Sequence, residues 1–263
     1  MLARQVGTIT YYQFSSLKLP GVYHAIFSRQ GGISPPPWKS LNFGASVGDD
    51  INRVRENKKR ALATLKLNTD STYDVYQVHS SDVVIAHQPL RPGEIHRKAD
   101  AIITQKKGLT LMMRFADCVP ILLLDPVQRA IGIVHAGWVG TVNNIVEKAI
   151  YKMIETYGSN PGDIQAGIGP SIGPDHYQVG DDVIEKIKSS FGSKAAHLIV
   201  SDQGNTYFDL WKANKLLLNE AGVKNVEISG ICTACDLGSW YSHRHEKGKT
   251  GRFGAVIGLE GYL

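Results

Sequence analysis

Two runs decide the fold: Ile121-Leu-Leu-Leu124 and, after a short connection holding Pro126, Ala130-Ile-Gly-Ile-Val-His135. Both are strand-sized and apolar without a polar alternation. Strands of that kind are buried on both faces, so they belong inside a layered α/β protein. After His135 the chain reads Ala136-Gly-Trp-Val-Gly-Thr141 and then takes a helical period, with Val142, Ile145, Val146, Ala149, Ile150 and Met153 on one side. Gly158 and Pro161 punctuate its end.

Working outward, residues 22–28, 101–104 and 109–115 read as strands. Asp49 or Asp50 can cap a helix running to about Leu65. Residues 75–78 and 83–86 read as two short strands in a hairpin-like arrangement around Ser80-Ser81-Asp82. Downstream, residues 164–168 form a strand, followed by the stiff loop Gly169-Pro-Ser-Ile-Gly-Pro174. Helices are expected around 182–190 and 209–221, and strands around 225–229 and 254–259. No linker, repeat or low-complexity tract breaks this succession, and Pro35-Pro-Pro37 reads as a short rigid loop. The expectation is a single mixed α/β domain of the α+β class over residues 1–263.

Composition narrows the function classes. With 263 residues, 43% of them hydrophobic and 20% charged, the chain can bury a large core and is not disordered. Three cysteines are too few, and odd in number, for a disulfide scaffold. No apolar run reaches the roughly 18 residues of a membrane span. The first residues lack the charged-then-apolar pattern of a signal peptide, so a cytoplasmic protein with reduced thiols is expected. The net charge of +5 is mild, and Lys58-Lys59-Arg60 reads as a solvated helix face. Nucleic acid and membrane are therefore not expected partners, whereas small anionic substrates remain compatible.

Three strands end on polar residues that can bind metal: Gln77-Val-His79, Asp117-Cys118 before Val119-Pro120, and His135 before Ala136-Gly-Trp138. Two imidazoles and a thiolate suit zinc with one position left open, which marks a catalytic site. Copper also accepts that set. Their spacing matches no compact zinc motif, and a buried cysteine or a hydrogen-bonded core histidine is the plainer reading of each residue alone. Cys118 with His79 or His135 as base would equally suit a thiol nucleophile. Cys232-Thr-Ala-Cys235 is a single CxxC with no second one to complete a structural site, and reads as ordinary thiols.

Residues 240–252 are dense in donors, with Arg244, Arg252, Gly248 and Gly251 composing either an anion site or an exposed basic loop. Ser28-Arg29-Gln-Gly-Gly32 is a second anion candidate, and the N–H groups of the turn after His135 are a third, at a helix N-terminus. That turn lacks the Gly-Lys-Ser/Thr of a phosphate loop, and Gly167-Ile-Gly-Pro170 is no dinucleotide fingerprint. The Gly-x-Ser-x-Gly elbow of a serine hydrolase is missing.

Taken in order, these pieces resemble the laccase-domain, or multicopper polyphenol oxidase-like, family. The matching stretches are Ser28-Arg-Gln-Gly-Gly32, Ser40-Leu-Asn-Phe-Gly44, Val47-Gly-Asp-Asp50, Gln77-Val-His79, Ala99-Asp-Ala101, Ala116-Asp-Cys-Val-Pro120 and His135-Ala-Gly-Trp138. Gly169-Pro-Ser-Ile-Gly173, Asp209-Leu-Trp211 with Asn214, Cys232-Thr233, Ser242-His-Arg244 and Thr250-Gly-Arg252 follow in family order. Bacterial members are viewed as zinc-dependent purine nucleoside phosphorylases with adenosine deaminase activity. The resemblance implies a layered α-β-β-α sandwich. It implies His79, Cys118 and His135 as catalytic metal ligands, for Zn2+ or else Cu2+. Arg29, Asn42, Arg244 and Arg252 are the candidate contacts for phosphate or ribose. Purine nucleosides and phosphate are the implied substrates: adenosine, inosine and methylthioadenosine cleaved to free base and (methylthio)ribose 1-phosphate. A copper-dependent polyphenol oxidase, a Cys118-based hydrolase and a non-catalytic metal scaffold are the alternatives. The chain lacks the many histidine clusters that several copper ions would need. Many relatives carry Arg after His-Ala-Gly-Trp, where this chain has Val139, so one cation beside the site is absent. Relatives often carry a cysteine pair where Asp175-His176 precede Tyr177, and His176 reads as a surface residue.

Overall fold

The computed structural model describes residues 1–91 and 93–261. Their backbone forms two six-stranded sheets and a small ribbon. The first sheet runs β1 (Leu2–Val6), β2 (Ile9–Gln13), β3 (Val22–Phe27), β14 (Phe253–Leu259), β7 (Thr110–Phe115) and β4 (Thr72–Tyr73). The second runs β13 (Asn225–Ile228), β10 (Gln165–Ile168), β8 (Val119–Asp125), β9 (Ala130–Ala136), β6 (Ala101–Thr104) and β5 (Val83–Ile85). The ribbon pairs β11 (Ile199–Asp202) with β12 (Asn205–Phe208). The helices are α1 (Ile51–Ala63), α2 (Trp138–Val142), α3 (Ile145–Tyr157), α4 (Asp181–Phe191) and α5 (Leu210–Glu220).

Every residue of β8 and β9 is buried, as their unbroken apolar runs require. Successive side chains point to opposite faces, and that alternation builds the layers. Ile121 and Leu123 pack with α3 and α5 residues such as Ile150 and Leu217, whereas Leu122 and Leu124 pack with Met113, Phe115 and Phe253 of the first sheet. On the outer face of the first sheet, Phe27, Met112 and Val256 meet Ala61 and Leu62 of α1. The order is helix, sheet, sheet, helices: the expected α-β-β-α sandwich. Each fully buried aliphatic side chain contributes about 2 kcal/mol to this core.

Capping sets the helix ends. Asp50 accepts from the N–H groups of Asn52 and Arg53 to start α1, and Asp209 accepts from Lys212 N at 2.9 Å to start α5. Gly158, left-handed at φ 69°, ends α3.

Four features differ from expectation. Residues 75–78 form no hairpin with β5, which pairs in parallel with β6 instead. The Gln77 side chain bonds β7 where a strand partner would, accepting from Arg114 N at 3.0 Å and donating to Arg114 O at 2.8 Å. The long helix after His135 is broken: α2 ends before Asn143, and Asn144 sits at φ 58° before α3 begins. Two hairpins, β1–β2 and β11–β12, were not expected, and β1 is exposed at every residue. Within the basic run on α1, Lys58 turns from solvent to Asp74, 3.6 Å away. Among the described residues no helix is long and apolar enough to cross a membrane.

Candidate metal centre

Strand direction gathers the site. β5, β6 and β8 begin, and β9 ends, at one edge of the second sheet. Asp100 immediately precedes β6, Cys118 immediately precedes β8, and His135 lies next to the end of β9, opposite Pro120. His79 arrives on the connection into β5. Both His79 and Asp117 take left-handed backbone, at φ 59° and 78°, and hold their neighbours in a tight turn.

The expected trio comes together. One ligand atom from each of His79, Cys118 and His135 lies within 4.8 Å of the others. The imidazoles meet edge-on, with centroids 5.0 Å apart. His135 is buried, Cys118 half-buried and His79 exposed, so the cluster opens to solvent on one side. Gly137 makes this convergence possible: a Cβ there would stand 2.9 Å from Cys118 Sγ and 3.2 Å from His79 Cδ2.

Asp100, which carried no assigned role in the sequence, organises two of the three. Its Oδ1 lies 2.8 Å from His135 Nδ1. Its Oδ2 accepts from Ser80 N at 2.6 Å and Val78 N at 3.2 Å, the two residues flanking His79. The Nδ1 of His135 thereby carries the proton, and Nε2 is left to bind a metal. Burial opposes charge on Cys118 and His135, but each overrides it for the other. The neighbouring imidazoles bring the thiol down to about 6, and the Cys118 sulfur with Asp100 holds His135 up at about 9. Two imidazoles, a thiolate and an open side fit zinc, and fit a single copper ion as well.

The cationic residues divide into two groups. Arg244 donates its backbone N–H to Asp117 Oδ2 at 2.6 Å, and its Nη1 to Gln178 O at 2.7 Å. Its guanidinium lies 5.0 Å from the centre of the Tyr177 ring. Arg252 donates to Gly251 O at 2.8 Å, and its Nη2 lies 3.5 Å from His243 Nδ1. Burial draws the Arg252 guanidinium down, while Cys118 and Asp117 favour its charge. Burial and the two arginines keep His243 below the ordinary imidazole value. These groups surround Asp117, next to Cys118.

Arg29 and Asn42 sit differently. Arg29 donates to Lys39 O at 2.8 Å, Leu237 O at 2.9 Å and Glu246 Oε1 at 3.1 Å, and it covers the Tyr241 ring. It clamps the loop that carries Arg244. Asn42 is fully buried; its Oδ1 accepts from Gly44 N and from Arg252 N at 2.8 Å, and its Nδ2 donates to Asp49. It sets the backbone of Arg252.

Other expectations needed revision. The helix N-terminus at the site belongs to the five-residue α2, and the long α3 begins only at Ile145. His176 is exposed, as expected of a surface residue, but it shares a cluster with Cys232 and Cys235: ligand atoms of these three and Asp175 lie within 4.8 Å of one another. Thr233, between the cysteines, donates to Asp117 Oδ1 at 2.7 Å. The signal was present in the CxxC and in Asp175-His176, but the two segments lie far apart in sequence. A separate cavity of about 1120 Å3, lined by Lys58, Asp74, Arg91 and His96 among others, contains none of the trio.

A family model described as multi-copper polyphenol oxidoreductase laccase matches residues 23–260. The chain is 38% identical over 239 residues to a protein of Deinococcus radiodurans named purine nucleoside phosphorylase, covering 90% of this chain and 89% of that one. It is 34% identical over 241 residues to purine nucleoside phosphorylase YlmD of Bacillus subtilis, covering 89% and 87%. The solved structure of a hypothetical protein YfiH of Bacillus licheniformis superimposes with a TM-score of 0.91 at 32% identity, over 98% of this chain and 99% of that one. The sandwich fold, the His79–Cys118–His135 cluster at its sheet edge and these likenesses together make the chain a member of the multi-copper polyphenol oxidoreductase laccase family, in the branch whose relatives are named purine nucleoside phosphorylases.

Proposed function

We propose that this protein is a zinc-dependent purine nucleoside phosphorylase that cleaves adenosine, inosine and methylthioadenosine to free base and the corresponding (methylthio)ribose 1-phosphate. Deamination of adenosine is proposed as a second reaction of the same site. The observation that carries the reading is one solvent-open cluster of two imidazoles and a thiol, with Arg244 and Arg252 around the adjoining Asp117. The names of the relatives support it. His79, Cys118 and His135 would hold the metal, which would supply Lewis acidity to the reaction.

The chain's own groups do the rest. Asp100 keeps the Nδ1 proton of His135, so the ring faces the metal in one tautomer. Arg244 and Arg252 hold phosphate and neutralise its charge as its oxygen bonds to C1′ and the glycosidic C–N bond breaks. Arg29 and Asn42 position those arginines. In deamination, water adds at the purine C6 and ammonia leaves. The reading takes residues 1–263 as one domain acting in the cytoplasm, with small molecules as partners rather than nucleic acid or membrane.

The test is product analysis of adenosine and inosine, with and without phosphate, on zinc-loaded protein. Phosphate-dependent release of base and ribose 1-phosphate is expected, and hypoxanthine from adenosine reports deamination. No nucleoside turnover with zinc or copper overturns the reading. One observation favours a second reading: Asp100, His135 and Cys118 follow one another as in a thiol-hydrolase triad. Full activity in metal-stripped protein, abolished by alkylating Cys118, would establish that instead. Phenol oxidation with copper alone would establish the oxidase.

A further inference from the structure

We propose that Asp175, His176, Cys232 and Cys235 form a second metal site, a closed structural zinc site that ties the loop before α4 to the segment after β13. His176 Nδ1 lies 3.8 Å from Cys232 Sγ and 3.7 Å from Cys235 Sγ, and 3.0 Å from Asp175 Oδ1. In a tetrahedron with zinc–sulfur bonds of about 2.3 Å and zinc–nitrogen bonds of about 2.0 Å, the nitrogen–sulfur edge is about 3.6 Å. The spacings therefore already match the edges of a zinc tetrahedron to within a few tenths of an ångström. Two thiols and an imidazole are soft and borderline donors that select zinc over magnesium or calcium. Four protein donors fill the coordination shell, which is the mark of a structural site.

The surroundings are built for convergence. Gly173 donates its N–H to Cys232 Sγ at 3.2 Å, a bond that favours the thiolate. A Cβ on Gly173 would stand 2.5 Å from Asp175 Oδ1 and 3.2 Å from Cys232 Sγ, so a side chain there would push the donors apart. The backbones are stitched beside the cluster: Ser171 donates to Ile231 O at 3.2 Å, and Thr233 donates to Ser171 O at 3.1 Å. The cluster also backs the other centre. Thr233, beside Cys232, holds Asp117, and Tyr177, beside His176, lies under Arg244. A metal here would brace Asp117 and Arg244 from behind. Its occupancy does not depend on what the first centre catalyses.

The test is zinc content by mass spectrometry on full-length protein, purified in reductant and freed of loose metal. Two zinc ions per chain are expected, one in Cys118→Ala, one in His176→Ala with Cys235→Ser, and none in the combination. In the cobalt-loaded Cys118→Ala protein, a thiolate-to-cobalt charge-transfer band should persist and should vanish when Cys235→Ser is added. Should the double variant not fold, Cys235→Ser alone, at an exposed position, gives the same readings. Equal zinc content in the parent and in a folded Cys235→Ser variant overturns the proposal. So does a Cys232–Cys235 disulfide in parent protein purified without reductant but with excess zinc. Failure of the first centre would show differently, as no metal lost in Cys118→Ala.

Discussion

Replacing Asp100 by Asn separates orientation from mere presence of the ligands. The carboxylate is fully buried and has three partners: Val78 N and Ser80 N on one oxygen, His135 Nδ1 on the other. In Asp100→Asn the two backbone donors still need an acceptor, so the amide oxygen stays with them. The amide NH2 then faces His135, whose Nδ1 must accept, and the ring proton moves to Nε2. That is the atom the metal needs. Loss of such a partner weakens metal binding about 10- to 100-fold, or roughly 1.4–2.7 kcal/mol. Asp100→Ala should cost more, because it also takes the acceptor from two partly buried N–H groups and frees the turn that carries His79. The assay is competition for zinc against a chromophoric chelator near neutral pH, with circular dichroism to show that the fold persists. If folded Asp100→Asn binds zinc within about twofold of the parent, the carboxylate does not set the tautomer and the reasoning fails.

Gly137→Ala should weaken zinc binding at least tenfold while the protein stays folded, since its Cβ would stand 2.9 Å from Cys118 Sγ; the same titration checks it, and unchanged affinity would show that the turn yields freely. On the proposed function, Val139→Arg should lower the KM for phosphate by adding the cation that the family resemblance implies at that position, and steady-state kinetics with an unchanged phosphate KM would refute that placement. His24 is buried, and its Nε2 accepts from Phe14 N at 2.8 Å; burial draws its pKa down from 6.5 to about 4. The unfolded chain therefore binds the extra proton first as pH falls, so this stabilisation is intact above pH 6.5 and is lost between 6.5 and about 4, by about 2 kcal/mol from pH 7 to 5. Urea unfolding should show this slope in the parent and a flatter one in His24→Gln, and equal slopes would refute it.

Much of this was legible in the sequence because it was local. The apolar runs of β8 and β9 announced double-sided burial, and the 3.6-residue period and Asp50 announced α1. His79, Cys118 and His135 stood out because each is a polar stop to an apolar run. What escaped was non-local or carried no pattern. β1 buries nothing, so no alternation marked it. The run at 75–78 looks like a strand, yet its backbone pairs through an isolated bridge, Tyr76 with Lys98, and it reaches β7 by the Gln77 side-chain amide on Arg114, a bond with no sequence period. Asp100 showed only as an acid between two alanines; its value lies in contacts made across the turn and the ladder. Arg29 and Asn42, named as candidate ligand contacts, make hydrogen bonds to distant parts of the protein, Leu237 O and Arg252 N among them, and no sequence period shows such partners.

The link from β7 to β8 has a wider consequence. Ala116, Asp117 and Cys118 carry the chain from one sheet to the other in three residues, and they do so at the site. The proposed metal ligands Cys118 and His135 thus ride on one sheet, while Arg252, just before β14, rides on the other. The gap between them is a measure of core thickness. Phe115, of the first sheet, sets part of it, its ring 5.4 Å from the His135 ring of the second. Sliding one layer over the other would detune the reaction before it melted the protein. On the proposed function, the inter-sheet filling is therefore part of the site's gauge, and truncations there should register in turnover out of proportion to the stability they cost.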